Sequence, residues 1–125
     1  MKEQFVPYEI ALKLSEKGFD WHCLAVYMNG EFQIPRGFGM AIVTTEHVDI
    51  LKGKAILAPL WQQVIDWFRE KHFIDIMIRQ TQKDGTAYYK ITKIETEDKI
   101  KGYSNFCKTV DIARQAVIEL ALTLI

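Results

Sequence analysis

Residues 74–95, IDIMIRQTQKDGTAYYKITKIE, decide the fold class of this chain. Isoleucine occupies every second position from 74 to 78, which is the alternation of a half-buried strand. Asp84-Gly85 is typical of a tight hairpin turn. The return arm keeps Tyr89 and Ile91 at one parity but places Ile94 at the other. We therefore predict a β-hairpin whose second strand contains a bulge or ends early.

Three amphipathic helices surround this hairpin in the sequence. A helix is predicted to start at Pro7 and to stop at Gly18. Proline is favoured in the first turn of a helix, and glycine is favoured just past its end. Residues 59–71 predict a second helix with large apolar side chains on one arc. A third helix is predicted from about residue 107 to the C-terminus.

A second hairpin precedes the middle helix. Asn29-Gly30 joins the apolar runs 22–28 and 31–34, and this dipeptide favours a type I′ turn. Residues 22–28 are apolar at both parities, which predicts a central or doubly covered strand. The order α-β-β-α-β-β-α predicts an α+β fold, with an antiparallel sheet of two hairpins and about three helices packed on one face.

Composition limits the class of protein. The 125 residues are 49% apolar and 26% charged, which predicts one globular domain over 1–125 with an irregular segment at about 35–56. Lys plus Arg and Asp plus Glu both number 16, so the balance argues against nucleic acid as a partner. No apolar stretch is long enough for a membrane span. Two isolated cysteines, Cys23 and Cys107, predict a reducing cytoplasm.

The last helix carries more apolar surface than one face requires. Ile118, Leu122 and Ile125 lie beside its polar stripe when residues are placed about 100° apart. Either segment 35–56 covers them, or they form a homodimer contact. On the second interpretation, Leu122→Glu separates the two copies and leaves the fold intact.

Catalytic chemistry has little support in the sequence. His22 and Cys23 are neighbours, and on a strand they point to opposite faces, so they cannot act as a base and thiol pair. A metal site at residues 46–49 requires a strand where the sequence favours a helix start. We predict no catalytic residues, no metal and no cofactor; an enzyme using Cys107 or His47 is the weakest hypothesis.

One motif favours a different class of function. Residues 36–43, RGFGMAIV, begin like the RNP1 strand of an RNA recognition motif, with Arg36 and Phe38 as the nucleic-acid contacts. Met40 and Val43 occupy the positions at which the RNP1 motif has further aromatic residues, so only Phe38 can stack on a base. Other aromatic residues fit a core better than a ligand groove, because they recur at helical and strand spacing: Trp61, Trp67, Tyr88, Tyr89 and Tyr103.

Two stretches and the closing helix carry a resemblance. Residues 5–14, FVPYEIALKL, and 57–71, LAPLWQQVIDWFREK, resemble small uncharacterised proteins encoded on prophages and mobile elements of Bacteroides-type bacteria. Segment 35–56 departs from that pattern. The resemblance implies a cytoplasmic, non-enzymatic accessory protein and assigns no role to any residue. We therefore expect a small homodimeric interaction protein that works by contact with an unidentified protein, with single-stranded RNA binding at 36–43 as the alternative.

Overall fold

The computed structural model describes residues 2–34, 55–96 and 99–125, and the chain divides into two compact units, Met1–Gln63 and Val64–Ile125. After a 3₁₀ turn at Lys2–Gln4, the described elements are α1 Tyr8–Glu16, β1 Ala25–Met28, β2 Glu31–Gln33, β3 Ala55–Ala58, α2 Trp61–His72, β4 Ile74–Gln80, β5 Ala87–Thr96, β6 Lys99–Cys107 and α3 Val110–Thr123. The α+β class is confirmed. The single domain over 1–125 stays a prediction, and each unit is described in turn.

The first unit contains a three-stranded antiparallel sheet in the order β2-β1-β3. Strand β1 is central, as its two-sided apolar pattern predicted, and Tyr27 lies between Phe32 of β2 and Ile56 of β3. Asn29 and Gly30 have φ angles of 50° and 82°, the positive values that a type I′ turn requires at both central residues. The first hairpin is therefore confirmed.

Helix α1 packs against β3, and side chains of both elements are buried in the first unit. The Tyr27 hydroxyl donates a hydrogen bond of 2.8 Å to the backbone oxygen of Val6. The Tyr8 ring meets the Tyr27 ring edge-on at 5.5 Å. This hydrogen bond and ring contact tie the chain just before α1 to the central strand, since both end on Tyr27.

The second unit contains a three-stranded antiparallel sheet in the order β4-β5-β6. Strands β4 and β5 form the predicted hairpin, with Ile76 opposite Ile91. In its turn, the Asp84 carboxylate accepts a 3.0 Å hydrogen bond from the Thr86 N–H, and Gly85 has φ 98°. The pairing of β5 with β6 shifts register between Ile94 and Thr96, which confirms the irregularity predicted in the return arm.

The sheet arrangement differs from the prediction in two places. Two separate three-stranded sheets replace one sheet of two hairpins, and each hairpin has a third strand beside it. Strand β3 uses the last residues of the segment predicted to be irregular, of which 35–54 lie outside the described residues. Strand β6 lies between the second hairpin and the last helix, where the sequence predicts no regular element. No position of β6 is fully buried, so its sequence lacks the apolar alternation that predicts a strand.

Helix α3 begins after Thr109, whose hydroxyl accepts a 3.1 Å hydrogen bond from the Ile112 N–H. It packs against β4, β5 and β6. Ile118 is completely buried and Leu122 is 6% exposed, although both were expected at a contact with a second copy. The chain itself covers these side chains, so they offer no surface to a partner. Ile125 is half-buried.

Phe73, between α2 and β4, has an unfavourable backbone conformation. Its φ is 55°, which lies in the left-handed region that is unfavourable for every residue with a Cβ atom. The Phe73 side chain is 65% exposed. Phe73→Gly is therefore expected to be more stable than Phe73→Ala by about 1 kcal/mol, since only glycine removes the backbone strain. Urea denaturation of both variants measures the difference. Equal midpoints would contradict a strained backbone at this position.

Candidate functional site

The sheet of the second unit has one buried face and one exposed face. Alternate side chains of a strand point to opposite faces, and the buried parity belongs to the face on which α3 packs. We call the opposite side the outer face. It is formed by Asp75, Met77 and Arg79 of β4, by Tyr88, Lys90, Thr92 and Ile94 of β5, and by Ile100, Gly102, Ser104 and Phe106 of β6.

An aromatic pair lies at one end of the outer face. Arg79, Tyr88 and Phe106 form one cross-strand row. The two rings are in contact, with centroids 5.1 Å apart and planes inclined at 53°, and the Phe106 side chain remains 66% exposed. The next row places Lys90 between Met77 and Ser104. This end therefore combines one exposed and one half-buried ring with two cations.

The opposite end of the outer face is apolar. Ile94 pairs with Ile100, and these side chains are 48% and 60% exposed. The Ile94 N–H donates a 3.0 Å hydrogen bond to the Phe73 oxygen, which brings a third exposed apolar residue beside them. Thr92 and Gly102 separate the two ends. Clusters of exposed apolar side chains on a small domain indicate a contact surface.

Charges are paired where β5 ends and β6 begins. The Glu95 carboxylate forms ion pairs with the Lys99 ammonium group at 3.1 Å and with the Lys101 ammonium group at 3.3 Å. Hydrogen bonds from Lys99 and then Lys101 lower the pKa of Glu95 below its usual range. These groups are at the surface, so the pairs contribute little to stability. They do reduce the net positive charge that β6 presents.

The thiols and imidazoles of the described residues do not assemble a reactive centre. Burial raises the pKa of Cys23 to about 12, and its Sγ donates to the Trp21 oxygen at 3.3 Å, so Cys23 stays protonated at neutral pH. His22 is exposed and Cys23 is buried, and both lie before strand β1. Burial, and then the charge of Lys93, lower the pKa of His72.

Residues 2–34, 55–96 and 99–125 likewise contain no cluster of side chains that could bind a metal ion. No three of their His, Cys, Asp or Glu side chains come close enough together to hold an ion. Cys107 is half-buried on β6, opposite Ala87. His47 lies outside the described residues, and so do Arg36 and Phe38 of the RNP1-like stretch.

The outer face was missed by sequence reasoning because the signal for it is indirect. Of the aromatic residues assigned to a core, Trp61, Trp67 and Tyr89 are buried, whereas Tyr88 is half-buried and Tyr103 is 44% exposed. Once Tyr89 is known to face inward, strand alternation places Tyr88 outward. The partner of Tyr88, Phe106, lies on a strand that the sequence did not predict.

Comparison with known proteins adds no assignment. Neither family models, nor curated proteins, nor solved structures match this chain. Among the described residues, every helix is too short or too polar to cross a lipid bilayer.

Proposed function

We propose that this chain is a non-enzymatic binding module that acts by contact with another protein through its outer face. One observation carries the proposal: Phe106, Ile100 and Ile94 expose between 48% and 66% of their side chains on the same face of one small sheet. Exposed apolar patches mark contact surfaces, and protein interfaces are enriched in aromatic residues. The resemblance to prophage proteins supports an accessory role, and two free thiols support the cytoplasm.

A protein partner fits this face better than a nucleic acid. The aliphatic pair Ile94 and Ile100 covers one end, and aliphatic side chains do not stack on bases as aromatic rings do. Asp75 on the outer face opposes the charge of Arg79 and Lys90, and the whole chain carries no formal net charge. Affinity for phosphates grows with the excess of cations, so this balance favours apolar contact over phosphate binding.

Single-stranded RNA is the second candidate, on a specific observation. Tyr88 and Phe106 lie in one row with Arg79, and Lys90 lies in the next. Neither cation forms an ion pair with the residues that the structure describes. Aromatic rings beside cations are the groups that single-strand binders use for bases and phosphates. This site differs from the RNP1-like stretch at 36–43.

Affinity capture with a matched pair of double variants tests the protein contact. Phe106→Ser with Ile100→Ser removes apolar groups from the outer face, while Leu12→Ser with Leu24→Ser removes groups that are 38% and 44% exposed in the first unit. Proteins captured by the wild type are expected to fall by about tenfold or more with the first pair only, as for loss of contact anchors. Binding of the purified partner is then measured by calorimetry.

Equal capture by both double variants would contradict a role for the outer face. Thermal unfolding of each variant shows whether the fold is kept. For the alternative, labelled single-stranded RNA is filtered with the protein at low and high salt. Retention that weakens with salt and with Phe106→Ala would replace the protein contact by RNA binding, because phosphate contacts release counterions.

A further inference from the structure

One side of the β6 backbone is without a paired strand in the part of the chain that the structure describes. Strand β6 pairs with β5 on the other side. The Phe106 N–H donates a 2.8 Å hydrogen bond to the Asn105 side chain, so this N–H points away from β5. Backbone groups of alternate residues share a direction, so Ile100, Gly102 and Ser104 also present theirs at the open edge.

We propose that the partner at this edge is a second copy of the same chain. The two β6 strands pair antiparallel around a two-fold axis at Tyr103, which joins two three-stranded sheets into one of six strands. Every residue from Lys99 to Cys107 then has a counterpart. Ile100 lies opposite Phe106 of the second copy, and both contribute exposed apolar side chains to the outer face.

The lysines of β6 select this register. In it, Lys99 faces Cys107 and Lys101 faces Asn105, so no two cations are opposed. A two-fold axis at Lys101 would place this residue against itself, and like charges opposite each other destabilise a strand pair. An axis at Gly102 leaves Ile100 opposite Ser104. The axis at Tyr103 alone uses the whole strand and joins the apolar groups.

Self-pairing also reduces the exposed apolar surface of each copy. Tyr88 and Phe106 of one copy would continue into Ile100 and Ile94 of the other, so that four apolar side chains form one row across the two-fold axis. The same row occurs twice, as a two-fold interface requires. This inference rests on the proposed contact role of the second sheet, and it names the partner at its edge.

Cysteine cross-linking tests the register. Tyr103→Cys, in a Cys107→Ser background, places two thiols directly opposite each other at a non-hydrogen-bonded pair, where Cα atoms are about 4.5 Å apart and a disulfide can form. Mild oxidation of this variant is expected to give a covalent dimer on a non-reducing gel. The variant at the neighbouring position, Ser104→Cys, is expected to give about tenfold less covalent dimer. Equal or reversed yields would overturn the proposal.

A charge pair at the edge tests the same contact without a covalent bond. Asn105→Lys places a cation opposite Lys101 at two symmetric positions, whereas Asn105→Glu places an anion there. The dimer dissociation constant of Asn105→Lys is expected to be about tenfold higher than that of Asn105→Glu. Analytical ultracentrifugation measures both constants. Identical constants would overturn the register.

The mass of the wild type completes the test. Light scattering is expected to give twice the 14.5 kDa of one chain, and a monomer at every concentration would overturn the proposal. Tyr103 and Asn105 project from the face opposite to the outer face, so their variants leave the outer face unchanged. If the protein is a monomer and its outer face still captures another protein, the dimer proposal is contradicted and the proposed binding function is not.

Discussion

Ile118→Glu is expected to lower the free energy of unfolding by about 4 kcal/mol or more, because it places an unpaired carboxylate where the native side chain has no exposed surface. The matched control is Ile112→Glu on the same helix. Ile112 is 50% exposed in the first turn, where an acidic group is favoured by the helix dipole. The control is expected to stay within about 0.5 kcal/mol of the wild type.

Urea denaturation followed by circular dichroism measures both variants. Leu122→Glu is predicted from the sequence alone to separate two copies and leave the fold intact. Since Leu122 is 6% exposed, the substitution is expected to destabilise the chain. A folded, equally stable Ile118→Glu protein with a reduced mass would restore the helix contact and contradict the core position described above.

Phe68→Ala is expected to cost about 3–5 kcal/mol, the range for deleting a fully buried aromatic ring. Phe68 has no exposed surface, and its ring meets Trp67 edge-on at 5.1 Å. The second control makes the same chemical change on the outer face. Phe106→Ala is expected to cost less than about 1 kcal/mol, since a 66% exposed ring loses mainly its cross-strand contact with Tyr88.

Thermal and urea unfolding separate these two substitutions. The comparison also supports the binding experiments, because a stable Phe106→Ala protein is needed to interpret any loss of binding. If Phe106→Ala were as damaging as Phe68→Ala, the Phe106 ring would belong to a core and the outer face would not be a binding surface.

Local signals explain which elements could be predicted. Asn29-Gly30 and Asp84-Gly85 specify their turns through backbone conformation within two residues, and both hairpins formed there. Pro7 and Gly18 bound α1 as expected. In each case the physical cause lies within a few residues of the element, so sequence spacing carries the whole signal.

Strand β6 shows what local signals leave out. Each of its residues is at least partly exposed, and Ile100 and Phe106 share one parity with Gly102 and Ser104. Such a strand exists because the neighbouring β5 offers its hydrogen-bonding groups. This condition depends on pairing between strands, and it does not depend on apolar periodicity within β6.

Sequence alone determined the α+β class, the two hairpins and the three helices, because turn residues and helical periodicity act over short distances. Only the tertiary structure decided which apolar side chains are free to meet a partner. Helix α3 has apolar residues over a wide arc, and packing on β4, β5 and β6 accompanies the burial of Ile118 and Leu122. The exposed apolar residues lie instead on the sheet, since burial is a property of packed elements and not of a single one.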